Sequence, residues 1–301
     1  MEPILETEDL ANLEKELVSY EGRDKAVHFT DFLLSKSSLQ KRAKNFKSGF
    51  LELDKKMGGI NLGEVIVISG HRKNGKTLFA ESLLRSILNN DPSAKSFILS
   101  YEVQTEELLA KYVKESDLKL FVPMELKTMD FDWLYRRCLE AKLKHDCRLV
   151  LIDHLHFLVD MQTKQNMSLN IGAFMRRLKF DIALKLNMAV FLICHQSMAK
   201  DGQEASADRM RDSSFIGQEC DSTILVSRRK NFTDKEFSEI GSKYGQERED
   251  SLRLQLGFME GDKEDNYSQG LATVQLAYSR RTGVYEYKKL FRKSGHFMEE
   301  I

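Results

Sequence analysis

The segment Gly70-His71-Arg72-Lys73-Asn74-Gly75-Lys76-Thr77 constrains this 301-residue chain more than any other stretch. It fits G-x-x-x-x-G-K-[ST], a loop whose backbone N–H groups cradle phosphate. The pattern has meaning only between a strand and a helix, and both are present. Val65-Ile66-Val67-Ile68-Ser69 is a continuous apolar run leading in, and Leu78-Phe79-Ala80-Glu81-Ser82-Leu83-Leu84 leads out with helical spacing. Such a junction aims several N–H dipoles and a helix N-terminus at one point, and Lys76 adds a full charge. Gly70, Asn74, Gly75, Lys76, Thr77 and Leu78 are therefore the candidate nucleotide-binding residues.

The rest of the chain supplies the fold around that loop. Further apolar runs lie at Ser96–Tyr101, Leu149–Asp153, Met188–Cys194 and Thr223–Ser227, with helical patterns at about 78–90, 105–116, 130–145 and 168–186. Short continuous apolar strands alternating with helices predict an α/β domain with a mostly parallel, twisted sheet and helices on both faces. Towards the C-terminus, Leu252–Phe258, Thr273–Ser279 and Tyr285–Leu290 alternate apolar and polar residues, which predicts antiparallel strands at the sheet edge. Segments 199–214 and 229–250 are charged and aperiodic and read as mobile loops. Residues 1–46 carry weak helical periodicity (Leu10, Leu13, Leu17) and turn basic at 39–47, so they read as an N-terminal helical arm or linker. The α/β domain then spans 47–301.

Composition excludes several classes. No apolar run approaches the roughly 18 residues of a membrane span, and the acidic start Met1-Glu2-Pro3-Ile4-Leu5-Glu6 has no apolar signal core. These features predict a cytoplasmic protein with no membrane partner. Lys plus Arg and Asp plus Glu both number 46, so any nucleic-acid contact must come from particular segments rather than global charge. Cys138, Cys147, Cys194 and Cys220 are scattered, and Cys194 and Cys220 read as buried thiols, not metal ligands.

Three strand ends complete a site for chemistry. Leu149-Val150-Leu151-Ile152-Asp153 closes on an acid that would share a Mg²⁺ ion with the Thr77 hydroxyl. Glu102 follows the strand Phe97-Ile98-Leu99-Ser100-Tyr101, on the ligand side of a parallel sheet, where a carboxylate can polarise an attacking water. Val190-Phe191-Leu192-Ile193-Cys194 runs into His195-Gln196-Ser197. There Gln196, or His195, can touch a γ-phosphate and report its presence to the next loop. Ser279-Arg280-Arg281-Thr282-Gly283 is a turn whose arginines are either solvated or one of them reaches a neighbouring subunit's phosphate.

Together these segments resemble the RecA-like ATPase domain of DnaB-type replicative helicases, from about residue 47 to 297. Gly49-Phe50-Leu51-Glu52-Leu53-Asp54 with Gly58-Gly59-Ile60 is similar to that family's "TGF-x-x-L-D-x-x-x-GG". Ser100-Tyr101-Glu102-Val103 resembles "S-L-E-M", and Ile152-Asp153-His154-Leu155 resembles "I-D-Y-L". Arg211 to Asp221 (Arg-Asp-Ser-Ser-Phe-Ile-Gly-Gln-Glu-Cys-Asp) is similar to "R-E-S-G-S-I-E-Q-D-A-D", the most specific match. The resemblance implies ATP and Mg²⁺ as cofactors and Glu102 as catalytic base, with Lys76, Gln196 and an arginine finger at Arg281 completing the catalytic set. It further implies single-stranded DNA contacted by Arg211, Asp212, Ser213 and Ser214, and a hexameric homo-oligomer with a primase or loader as partners. Departures include Ser214 in place of a glycine and Ser279 in place of a lysine, with Arg280 a possible substitute. The family's helical N-terminal domain has no counterpart in residues 1–48, as expected of a stand-alone, phage-like motor or of a fragment. A filament-forming RecA-like recombinase and a non-translocating accessory ATPase, a loader or KaiC-like regulator, share the same core motifs.

Overall fold

Strand runs buried on both faces set the architecture. In the computed structural model, which describes residues 7–21, 25–27, 31, 45–112, 117–159, 167–195, 214–230, 234–256, 267–283, 287–294 and 296–300, the chain divides into two compact units, 1–44 and 45–301. The described part of the first contains helix α1 (Thr7–Val18). The second opens with β1 (Asn45–Phe46), which pairs antiparallel with β2 (Ile60–Asn61) around α2 (Leu51–Met57). The basic stretch 39–44 lies outside the described residues.

Strands β3 (Val65–Gly70), β4 (Ser96–Ser100), β5 (Leu120–Phe121), β6 (Leu149–Asp153), β7 (Ala189–His195) and β8 (Ser222–Lys230) are joined by parallel pairing. Antiparallel strands β9 (Tyr267–Ser279), β10 (Tyr287–Ser294) and β11 (Phe297–Glu300) extend one edge, giving the order β11-β10-β9-β8-β3-β7-β6-β4-β5. Alternate residues of β3 face two cores. Ile66 and Ile68 meet Phe79, Leu83 and Ile87 of α3 (Lys76–Asn90), whereas Val65 and Val67 share a second core with α5 (Phe131–His145) and α6 (Met167–Arg177). Each such fully buried side chain contributes ~1.5–3 kcal/mol. The predicted fold class is the observed one.

Two expectations change. Of the strand expected over Leu252–Phe258, the described part is helical: α9 (Gln246–Leu256) runs to Leu256, and with α8 (Asp234–Tyr244) it replaces most of the loop expected over 229–250. Leu252, Leu254 and Leu256 alternate like a strand, but Gln246 bonds Asp250 and Arg253 bonds Glu249 at helical i,i+4 spacing. Arg253 also lies over the ring of Phe237, 4.1 Å from its centre, joining the two helices. The edge strand β11, too short to carry a pattern, reaches α3, where Met298 N–H donates to Ser82 Oγ at 2.7 Å. Among the described residues no helix is long and apolar enough to cross a membrane, and all four cysteines are free and buried.

The end of the sheet away from the P-loop is fixed by one polar knot. Asp221 accepts the Val65 N–H at 2.7 Å and pairs with Lys179 Nζ at 2.7 Å, while Lys179 also donates to the Gly63 carbonyl at 2.8 Å. Lys179 reaches this point from the π-helical turn Leu178–Leu184 that continues α6. Both side chains are mostly buried, so removing one strands the other. Asp221→Ala is expected to cost ~3 kcal/mol, read as a lowered urea midpoint. A loss under ~1 kcal/mol, the range of an exposed pair, would contradict this role for the knot.

Candidate active site

The carboxyl ends of four adjacent strands meet at one place. Gly70 stands opposite His195 in the β3–β7 register, and Asp153 stands opposite Ile193 on one side and Ser100 on the other. The loop after β3 turns sharply because its glycines permit it. A Cβ on Gly70 would sit 2.1 Å from the Val226 carbonyl oxygen. Gly75 holds φ 85° as the N-cap of α3 and has Met298 Cε 2.8 Å from where its Cβ would be. Asn74 bonds back to His71 through its backbone (3.3 Å), and Leu78 packs against the core from the first turn of α3.

Lys76 is buried, 5% exposed, and its ammonium donates to the His71 carbonyl at 2.9 Å. Burial lowers its pKa, while Glu102 and Asp153 pull it back up. Thr77 Oγ1 donates to Asp153 Oδ2 at 2.9 Å. Asp153 is 1% exposed, and its other oxygen, Oδ1, has no hydrogen-bond donor among the described residues. A buried carboxylate oxygen left in this state beside a hydroxyl fits a hard cation such as Mg²⁺. Glu102 lies two residues beyond β4 with its side chain 41% exposed, and its Oε2 is 3.3 Å from His154 Nδ1. Gly70, Asn74, Gly75, Lys76, Thr77, Leu78, Glu102 and Asp153 thus lie together at these strand ends.

Several features were not foreseen. The rings of His154, His156 and His195 cluster beside Glu102 and Asp153, edge to face for 154 with 195 (centres 4.2 Å apart) and for 154 with 156 (5.4 Å), and tilted for 156 with 195 (5.6 Å). Burial, then Lys76 and the two other imidazoles, push His195 down to about 3, so it is neutral at neutral pH. The signal for this cluster was present in the sequence: three of the seven histidines fall at the ends of two apolar runs. Glu81, fully buried on α3, pairs with Lys111 at 2.8 Å, bracing α3 against the segment that follows Glu102. Burial raises the Glu81 pKa and Lys111 opposes that shift.

Gln196 and the loop residues Arg211, Asp212 and Ser213 lie outside the described residues. Ser214 begins the short helix α7 (Ser214–Glu219). Arg281 is not near its own P-loop. It donates to Glu64 Oε1 at 2.9 Å and to the carbonyls of Gly58 (3.2 Å) and Gly59 (2.7 Å). Glu64 precedes β3 and Gly70 ends it, about 20 Å away along a strand of this length. Arg280 donates to the Gln218 carbonyl.

Comparison with known proteins places this arrangement. The family model for the DnaB-like helicase C terminal domain matches residues 45–120 and 110–252. The replicative DNA helicase DnaB of Rickettsia typhi is 22% identical over 254 residues, covering 69% of this chain and 51% of that protein. The DnaB of Rickettsia felis is 22% identical over 235 residues, 64% of this chain and 47% of that protein. The chain therefore spans about half the length of these relatives. A solved DnaB-like replicative helicase, described with its interactions with primase, superposes with a TM-score of 0.60 at 15% identity, over 96% of this chain and 70% of that one. A solved ATPase domain gives 0.62 at 16% identity, over 89% and 95%. These likenesses show the fold. The family match runs through the P-loop, Glu102, Asp153 and His195 and takes in well over half of the residues: this chain belongs to the DnaB-like helicase C terminal domain family.

Proposed function

We propose that the chain is the ATP-hydrolysing motor of a replicative DNA helicase, working as a hexameric ring that moves along single-stranded DNA. The observation that carries the hydrolysis is the convergence of Lys76, Thr77, Asp153 and Glu102 at four neighbouring strand ends. Lys76 exchanges the His71 carbonyl for the β- and γ-phosphates. Thr77 and Asp153 hold the Mg²⁺, which supplies charge neutralisation on the phosphates. Glu102 takes the proton of the attacking water as the oxygen–phosphorus bond to the γ-phosphate forms and the bond to ADP breaks. Gln196 and the 211–214 loop stand in the sequence where hydrolysis would be passed on to bound DNA. The relatives' description as replicative helicases supports replication as the setting, and the solved helicase's interactions with primase support a primase as partner of the assembled ring.

The position of Arg281 supports the ring reading. Tied to Glu64 at the far end of β3, it cannot reach its own nucleotide, so a finger role requires a neighbouring subunit's site. Arg281→Ala is then expected to abolish hydrolysis while nucleotide binding survives. Mixed with Lys76→Ala protein, it should regain partial activity, because some interfaces pair an intact P-loop with an intact arginine. If Arg281 serves only to tie Gly58, Gly59 and Glu64 together, the variant loses thermal stability, retains turnover per folded molecule and gains nothing on mixing. That result would remove the finger, and with it this argument for the ring.

A further inference from the structure

Two imidazoles and a carboxylate beside the P-loop make a second cation site, of different chemistry from the one at Thr77 and Asp153. One donor atom each from Glu102, His154 and His195 lie within 4.8 Å of one another. Glu102 Oε2 and His154 Nδ1 are 3.3 Å apart. Four-coordinate zinc, with bonds of about 2.0–2.1 Å, holds neighbouring ligand atoms about 3.3–3.4 Å apart. The His154 side chain is only 6% exposed, yet its Nδ1 has no hydrogen-bond partner among the described residues, and neither has Nδ1 of His195. An imidazole nitrogen buried without a partner needs an explanation, and a metal ion supplies one.

We propose that Glu102, His154 and His195 bind a zinc-class divalent transition-metal ion, with water completing its coordination. Mg²⁺ is a poor occupant, because it prefers six oxygen ligands, whereas two neutral imidazoles and one carboxylate suit zinc and its neighbours. The cations facing the site are Lys76 and Arg72, whose fields reach His195. Against them stand Glu102 itself and Asp153, whose Oδ1 is 3.4 Å from His154 Nδ1. The ion would occupy the Glu102 oxygen that accepts the water proton, so zinc acts as an inhibitor of hydrolysis. That consequence rests on Glu102 being the base. The binding itself rests only on the three side chains.

The test uses Co²⁺ as a coloured stand-in for zinc, added to the metal-stripped 301-residue chain without nucleotide and with excess Mg²⁺ to fill the Thr77–Asp153 site. One equivalent of Co²⁺ should bind and give the strong visible absorption of a low-coordinate, nitrogen-containing site, displaced by Zn²⁺. Asp153→Asn should keep the spectrum. His154→Gln and His195→Asn should each lower Co²⁺ affinity by at least about 100-fold, since loss of a mere supporting contact already costs about 10–100-fold. Circular dichroism identifies a variant that has failed to fold, and the more exposed His195 provides the second, independent substitution. Zn²⁺ should slow Mg²⁺-dependent ATP turnover of the unmodified protein more than that of His195→Asn, each relative to its own zinc-free rate. No absorption, absorption that persists in both folded histidine variants, or a near-ultraviolet thiolate band from the cysteines would overturn the site. Binding as expected without any slowing of turnover would retain the site and remove Glu102 as base.

Discussion

Lys76→Ala is expected to reduce ATP turnover by at least about 100-fold, the usual consequence of removing one preorganised electrostatic partner of a transition state. The side chain is buried, feels the charges of Glu102 and Asp153, and donates a hydrogen bond to the His71 carbonyl. Phosphate oxygens arriving at the N-terminus of α3 would find backbone N–H groups but not the ammonium that Lys76 supplies beside them. Nucleotide affinity should fall as well. Stability should not fall with it, because burial disfavours this ammonium in the nucleotide-free protein. An alanine there relieves that cost, in the usual trade between an active site and a stable one. The checks are phosphate release under saturating ATP and a thermal melt without nucleotide. Turnover within tenfold of the unsubstituted protein would contradict the assignment. A large drop in melting temperature would assign Lys76 to the scaffold instead.

Glu102→Gln is expected to separate binding from chemistry. The amide has nearly the same shape but cannot take a proton from water, so turnover should fall by about 10²–10⁴-fold while Mg²⁺-dependent ATP binding stays close to normal. Asp153→Asn should behave differently and weaken the Mg²⁺ dependence itself, because Asp153 Oδ2 already holds Thr77 and Oδ1 is open to a cation. Single-turnover hydrolysis with a fluorescent ATP analogue measures both quantities for each variant. Near-normal turnover in Glu102→Gln would transfer the base to another group, with His154, 3.3 Å away, the first to substitute.

Much of this was legible because the sheet interior writes its pattern directly into the chain. Val65–Ile68 and Leu149–Ile152 are apolar throughout because both faces of those strands are covered, and the P-loop has to follow such a strand. The Glu102 and Asp153 positions follow from the same logic, since parallel strands all end on the ligand side. Where the pattern is two-sided or short, it fails. Leu252, Leu254 and Leu256 alternate as a strand would, yet Arg253 and Gln255 between them are strong helix formers, and Arg253 bonds Glu249 four residues back along a helix. The four residues of β11 carry no period, and only the fold reveals that Met298 touches the P-loop glycine. Pairings across the chain leave no local trace at all. Nothing near Arg281 points to Glu64, 217 residues away, nor anything near Lys179 to Asp221. His154 and His195 each leave a trace as a histidine ending an apolar run, and they become a cluster when β6 and β7 lie side by side.

ATP turnover by the unsubstituted protein, measured against Mg²⁺ and against added single-stranded DNA, tests the central claim most directly. A motor of this kind should hydrolyse ATP only with Mg²⁺, and should do so faster when a single strand occupies its ring, with the stimulation lost in Lys76→Ala. Turnover that is independent of Mg²⁺, or Mg²⁺-dependent turnover that no length of single strand accelerates, would contradict it.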